Sequence, residues 1–296
     1  MTETLNDLYL SLRRRLRAAG IEASELEARE IAACAAHADK DRFAEWGYSF
    51  LTEETVARAE ALTTRRLAGE PLAYLLGEWD FYGLTFQITP DVLIPRPDTE
   101  RLVELAIARA QHIVAPRVLD LCCGSGCIGI ALLKHVEDAR VTAADVSDEA
   151  LAVTHENARR HEVTARHAAV HADALHPPEE RLGRFHLIVC NPPYITAQEM
   201  RELDDSVREH EPVLALYGGD DGLDFYRSVA SQWQDALLPG GEVLFECGWK
   251  QAQQVAQVLT EHDWTSVSVY KDYAGIERVV TACTPSEPIE PPLQQE

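Results

Sequence analysis

Between residues 117 and 282, short apolar or β-branched runs alternate with amphipathic stretches of helix length, which leaves few architectures open to the chain. The strand-like runs are 117–121, 140–145, 168–172, 185–190 and 241–246, with 266–270 and 277–282 at the end. Helical stretches such as 148–161, 225–237 and 251–261 fill the gaps. Strands fed by intervening helices pair in parallel, so the expectation is an α/β fold with a doubly wound, seven-stranded, mostly parallel sheet. The last two runs, separated by a turn at Gly275, supply an antiparallel edge.

Residues 1–75 carry no strand signal. Leu5, Leu8, Leu12 and Leu16 recur at helical spacing, Ser24 and Glu27 form a capping-box pattern for a helix through Ala38, and Thr52 caps a third that stops at Gly69. This predicts a small all-α domain, which either stabilises the fold or grips a macromolecular partner. Residues 76–95 read as a β-hairpin linker, and Asp98 or Thr99 as the cap of a helix through Gln111. The stretch 284–296, rich in Pro and Glu, reads as a disordered tail, which leaves 96–283 for the sheet domain.

Lys and Arg number 27 against 49 Asp and Glu, a formal charge of −22. A phosphate backbone is bound by neutralising its charge, so direct nucleic-acid binding is disfavoured and a basic protein partner fits better. No apolar run is long enough to cross a bilayer, and Met1 to Asp7 lacks the basic flank and apolar core of a leader. A cytoplasmic monomer that works away from membranes is expected. The seven cysteines are an odd set in such a chain and are expected to be reduced. Cys122, Cys123 and Cys127 cluster, but no second Cys or His pair stands at ligand spacing, so no metal is expected.

After the first strand comes Cys122-Cys123-Gly124-Ser125-Gly126-Cys127-Ile128-Gly129, then a helix. Glycines admit a ligand close to the backbone, and a helix N-terminus presents free N–H groups. Asp145 ends the second strand about twenty residues on, where it can accept from both hydroxyls of a ribose. The constellation implies a ribose-bearing cofactor, NAD or S-adenosylmethionine. Asp173, just past the third strand, either accepts from an adenine amino group or caps a helix.

The apolar run 185–190 delivers Asn191-Pro192-Pro193-Tyr194 to the carboxyl edge of the sheet, where open α/β sheets bind ligands. Two prolines stiffen the loop. Methylation of an amide or exocyclic amine suits these residues, because such a planar nitrogen is a poor nucleophile that must be held in line with its donor. The Asn191 side-chain oxygen and the Pro192 carbonyl can each accept one N–H of the NH2 group. Tyr194 can cover its flat face. An irregular turn after a strand is the plain alternative. No hydride-transfer constellation is visible, which favours the methyl donor over NAD and sets Asn191 between donor and acceptor. Arg96, between Pro95 and Pro97, is either a contact for substrate or an acidic loop, or one half of a surface salt bridge.

These motifs, with Tyr74-Leu75-Leu76-Gly77, Phe81-Tyr82-Gly83-Leu84, residues 94–100 (Ile-Pro-Arg-Pro-Asp-Thr-Glu), Glu211-Pro212, residues 218–223, Pro239-Gly240-Gly241, Lys271-Asp272-Tyr273 and Arg278-Val279, resemble the glutamine N5-methyltransferases that modify class I peptide release factors. The likeness runs from about Gly69 to Ala282. It implies a helical N-terminal domain that recognises substrate, a hairpin, and a seven-stranded methyltransferase domain. It also implies transfer of a methyl group from S-adenosylmethionine to the glutamine of the release factor's Gly-Gly-Gln loop. Asn191 and the Pro192 carbonyl would orient the glutamine amide, Pro193 and Tyr194 would shape its slot, and Cys122, Cys123, Gly124, Ser125, Gly126 and Asp145 would hold the cofactor. The chain departs from the family pattern where Cys122 and Cys123 replace an initial glycine, and where Ala174 follows Asp173 in place of a large aromatic. An in-line displacement of this kind needs no dedicated general base, since the N-methylated amidium loses its proton to water.

Four other readings are set aside on particular grounds. A ribosomal-protein glutamine methyltransferase is a sibling, and the 94–100 segment inclines toward release factors. A DNA-adenine methyltransferase meets the −22 charge and lacks a recognition domain. An NAD-dependent oxidoreductase lacks its catalytic residues, and a non-catalytic assembly protein would not require the reactive tetrapeptide.

Overall fold

The computed structural model describes residues 3–39 and 42–285. They fall into two compact units. One runs up to Trp79 and takes in Asp204–His210; the other comprises Asp80–Leu203 and the chain from Glu211 on.

The first unit is helical. In the helix Leu5–Ala18 the four leucines at three- and four-residue spacing are buried and pack on Ala28, Ile31 and Ala35 of Ser24–Ala36 and on Ala59 and Leu62 of Glu53–Leu67. The capping box lies at Thr4 and Asp7, whose side chains each accept the other's backbone N–H at 3.2 and 3.1 Å. Ser24 is no cap, contrary to the sequence pattern. Ala23 holds that position, and the Glu27 carboxylate instead takes a two-pronged bond from Arg66 at 2.6 and 3.1 Å. Thr52 caps its helix as expected, accepting from Thr55 N at 3.1 Å. The short helices Phe43–Trp46 and Leu72–Leu76, and the turn Asp205–Arg208, carry no sequence signal strong enough to have been read.

The hairpin is shorter than the expected 76–95. Strands β1 (Glu78–Phe81) and β2 (Leu84–Gln87) form it, and the chain from 88 to 95 adds no strand. Pro90 and Pro95 have no N–H to give a ladder, and Thr89 and Asp91 close a local turn on each other. The helix Glu100–Ala110 starts from a 3-10 turn, Pro97–Thr99, and neither Asp98 nor Thr99 caps it. Both side chains are engaged elsewhere, as described below.

The sheet is seven-stranded and runs β5-β4-β3-β6-β7-β9-β8, made of β3 (Arg117–Leu121), β4 (Arg140–Asp145), β5 (His167–His171), β6 (Phe185–Cys190), β7 (Leu237–Glu246), β8 (Thr265–Lys271) and β9 (Glu277–Cys283). The first five pair in parallel; β9 lies antiparallel between β7 and β8. Trp233, Tyr226, Phe185 and Phe245 fill its core. Thr284, read from the sequence as the start of a tail, is buried, its N–H donating to Gly241 O at 2.8 Å and its hydroxyl to Leu238 O at 3.1 Å. The rest of that stretch, from 286, lies outside the described residues. Among the described residues no helix is long and apolar enough to cross a membrane.

The order of connections reverses between β3 and β6, which opens a crevice at their carboxyl ends. Register then fixes what meets there. Leu121 pairs with Cys190 and with Ala144, and Cys190 with Phe245. Cys122, Asp145, Asn191 and Glu246 therefore leave the sheet side by side.

Candidate active site

A cavity of about 250 Å³ occupies this crevice. Its lining includes the loop residues Cys122, Cys123, Gly124 and Ser125, Asp145 and Val146 after β4, Ala172 and Ala174 after β5, Asn191 and Pro193 after β6, and Arg96 and Thr99. Leu214 and Phe225 also border it.

The loop after β3 is held open by backbone geometry. Cys122, Gly124 and Gly126 take φ of 60°, 53° and 77°, the left-handed region that favours glycine. The family's glycine at the start of this loop thus has a physical reason, and Cys122 adopts the same conformation at some cost. Gly124 N donates to Asp145 Oδ2 and Ser147 N to Oδ1, at 2.9 and 3.0 Å. From below, Thr154 donates to Gly124 O at 2.8 Å and Asn157 to Ser125 O at 2.9 Å. Asn157 also joins β2 through Gln87, giving at 3.0 Å and accepting at 2.7 Å. Neither residue was foreseen. A β-carbon on Gly129 would come within 2.7 Å of Val141 and 2.9 Å of Asp120, so this glycine serves helix–strand packing. Asp120, wholly buried, accepts from Gly129 N at 2.9 Å, while its other oxygen has no partner among the described residues; burial, with Asp145 nearby, pushes its pKa up to about 8. The three cysteines of the loop are packing groups: like the chain's other four they form no disulfide, and burial pushes the Cys127 thiol up to about 12.

The loop after β6 is clamped from outside. A β-carbon on Gly218 would lie 2.5 Å from Pro193 O, and one on Gly222 2.3 Å from Tyr194 O. Gln251 donates to Tyr194 O at 3.0 Å, Ile195 N to Leu216 O at 2.9 Å and Gly218 N to Ile195 O at 3.0 Å. Pro192 is buried and is not among the residues that line the cavity. Tyr194 borders a neighbouring hollow with Trp249 and Gln251, and burial drives its hydroxyl pKa upward, with Glu246 adding to the rise and Arg278 and Arg96 opposing it. Asn191 gives its Nδ2 to Thr99 Oγ1 at 3.3 Å, and no partner holds its Oδ1 among the described residues.

Arg96 lines the cavity but its guanidinium pairs with the buried Glu211, which also accepts from Ile94 N at 3.3 Å. Asp98 pairs with Arg278 at 3.1 Å. Asp173 stands apart from the cavity: its oxygens hold Leu175 N at 2.9 Å and His176 at 2.7 Å, and it lines a separate hollow with Trp233. Asp173 closes a local turn here and caps no helix, since none begins before Glu180. Glu246, at the end of β7, is buried, and its carboxylate faces the Thr99 hydroxyl and the Asn191 amide.

Comparison with known proteins gives a consistent picture. The family described as Methyltransferase small domain matches residues 102–209, and PrmC N-terminal domain matches 7–77. The release factor glutamine methyltransferase of Koribacter versatilis is 36% identical over 284 residues, covering 96% of this chain and 99% of its own. That of Bradyrhizobium diazoefficiens is 39% identical over 284 residues, with 95% of each covered. A methyltransferase from Pyrococcus furiosus, 18% identical and covering 76% of this chain and 99% of its own, shares the fold at a TM-score of 0.51.

Proposed function

The chain belongs to the family of release factor glutamine methyltransferases, and from that premise we propose that it transfers a methyl group from S-adenosylmethionine to the side-chain amide nitrogen of the glutamine in the Gly-Gly-Gln loop of class I release factors. The observation that carries this reading is the Asn191 amide, whose NH2 is given to Thr99 and whose acceptor oxygen has no partner among the described residues, in a residue that lines the same cavity as the glycine loop and Asp145.

The donor set fits S-adenosylmethionine. Each Asp145 oxygen takes one backbone N–H and keeps a lone pair for a ribose hydroxyl. A β-carbon at Gly124 would meet nothing within 4 Å, so the loop backbone is open to a ligand. Ala172 and Ala174 leave room for the flat adenine, and Phe225 supplies an aromatic wall that Ala174 cannot. When bound, the cofactor supplies an electrophilic methyl group on a positively charged sulfur.

The protein's part is then to aim the nucleophile. Asn191 Oδ1 and the Pro192 carbonyl accept the two N–H bonds of the glutamine, which leaves its nitrogen lone pair facing the donor side of the cavity. Positive charge develops on that nitrogen, and the two oxygens stabilise it without reorganising. Pro193 fixes the loop, and Arg96, neutralised by Glu211, lines the cavity. No side chain removes a proton in this scheme.

The test is transfer of labelled methyl to a purified release factor and to its Gln-to-Ala variant in the Gly-Gly-Gln loop. Label on the first alone is expected, and equal label on both would move the site elsewhere. Asn191→Ala should abolish transfer and leave cofactor binding within about twofold, since it removes an interaction made with the substrate.

A further inference from the structure

An asparagine amide has two faces of opposite character, and only one orientation serves the reaction described above. With Oδ1 toward the cavity it accepts from the substrate NH2; turned over, it sets donor against donor. Something must choose.

Asn191 cannot make that choice by packing, because its oxygen and nitrogen are nearly the same size. The choice is made by hydrogen atoms. A threonine hydroxyl has a single proton to give. If that proton goes to a carboxylate, the hydroxyl oxygen can only accept from Asn191, and the NH2 must face it. Glu246 supplies such a carboxylate: it is about 1% exposed, follows β7 beside Asn191 by strand register, and has the Thr99 hydroxyl and the Asn191 amide near enough to hold its proton affinity down. Its Oε2 is buried and lacks a well-formed partner among the described residues, an acceptor left waiting for a donor. Thr99 and Asn191 line the cavity, whereas Glu246 is not among its lining residues.

We infer that Glu246, through Thr99 and through its own contact with the amide, sets the orientation of Asn191 and so makes the site a receptor for an NH2 nucleophile; Glu246 is a positioning residue. The inference rests on the role of Asn191 proposed above. It assigns work to two residues that no motif of the sequence pairs, one before the helix Glu100–Ala110 and one at the end of β7.

A chain of hydrogen bonds with a titratable end has a polarity that can reverse. Protonated Glu246 becomes a donor to Thr99 Oγ1, which frees the threonine proton for Asn191 Oδ1 and turns the NH2 into the cavity. Burial pushes the pKa of Glu246 up to about 7, against the pull of the Thr99 bond and of Arg278 on β9. The other groups that face it are Asp98, which raises it further, Asn191 and Tyr194 after β6, Tyr226 of the helix Asp224–Gln232, Cys127 at the start of its helix, and the adjoining Cys247. Activity should therefore fall as pH drops through neutrality, with the fall belonging to kcat.

The experiment is steady-state methylation of a release factor across this pH range by the wild type, Glu246→Gln, Thr99→Val, Thr99→Ser and Asn191→Ala, with cofactor affinity measured alongside. Thr99→Val should lose about 10- to 100-fold in kcat with unchanged cofactor affinity, the cost of a misaimed group, while Thr99→Ser recovers most of it. Glu246→Gln should lower kcat and lose the acid limb, since its amide no longer titrates. If Asn191→Ala is inactive but Thr99→Val and Glu246→Gln match the wild type, this inference fails and the role of Asn191 stands. If Asn191→Ala is active, that role fails first. Equal losses in Thr99→Val and Thr99→Ser with weakened cofactor binding, or an acid limb that survives in Glu246→Gln, would also overturn it.

Discussion

Two residues of the site work against their own surroundings. Asp120 is a carboxylate with one backbone donor and one empty oxygen in a dry interior, and its folded pKa of about 8 lies far above that of an exposed aspartate. The sign follows directly. The folded state holds this proton more tightly than the unfolded chain, so stability is highest below about pH 4 for this group and declines up to about pH 8. Asp120→Asn should flatten that decline in urea unfolding measured at several pH values; an unchanged slope would place the proton elsewhere. Cys122 is the second case, a side-chain-bearing residue at φ 60°. Cys122→Gly should stay within about 1 kcal/mol of the wild type, because relief of strain offsets the lost thiol packing, whereas the β-branched Cys122→Val should cost about 2 kcal/mol or more. Thermal unfolding of the two variants separates these outcomes. Phe225→Ala, which removes the aromatic wall, should weaken cofactor binding about tenfold by calorimetry.

At the scale of elements, the loop after β6 owes its shape to its neighbours more than to its prolines. The backbone of 216–222 lies so close to Pro193 and Tyr194 that only glycine fits at 218 and 222. Gly218→Ala should therefore displace the loop, lowering stability by about 1–3 kcal/mol and kcat more than cofactor affinity. A wild-type kcat in that variant would show that the clamp is dispensable. The sequence offered this segment as a shared motif without a mechanism; contact with the Pro193 carbonyl provides one. The same scale explains the misread caps. Ser24, Asp98 and Thr99 each stand where a cap is expected, yet a local pattern cannot see Arg66 drawing Glu27 away, Arg278 claiming Asp98, or Asn191 claiming Thr99.

At the scale of the whole molecule, a formal charge of −22 acts on the chain as self-repulsion and on partners as attraction for basic surfaces. Raising salt from low to physiological strength should slow association with a release factor that presents a basic surface, since exposed charges are screened beyond about 10 Å. Stopped-flow association at two salt concentrations tests this, and a salt-independent rate would remove electrostatic steering from the account.

The seven-stranded α/β fold, the glycine loop, Asp145 and the Asn-Pro-Pro-Tyr corner were legible from residues alone, because each is written in one contiguous stretch governed by local rules: apolar period, turn chemistry and backbone freedom. The boundaries of the hairpin, the true capping box at Thr4 and Asp7, and the grouping of 204–210 with the N-terminal helices were not. Only the tertiary structure decided which distant side chains meet. Strand register carries Glu246 beside Asn191, the turn Pro97–Thr99 sets the Thr99 hydroxyl against the Asn191 amide, and Thr154 and Asn157 hold the cofactor loop. Spacing along the chain does not encode those meetings. They follow from pairing strands that lie dozens of residues apart, which fixes position in space for side chains whose neighbours in sequence say nothing about them.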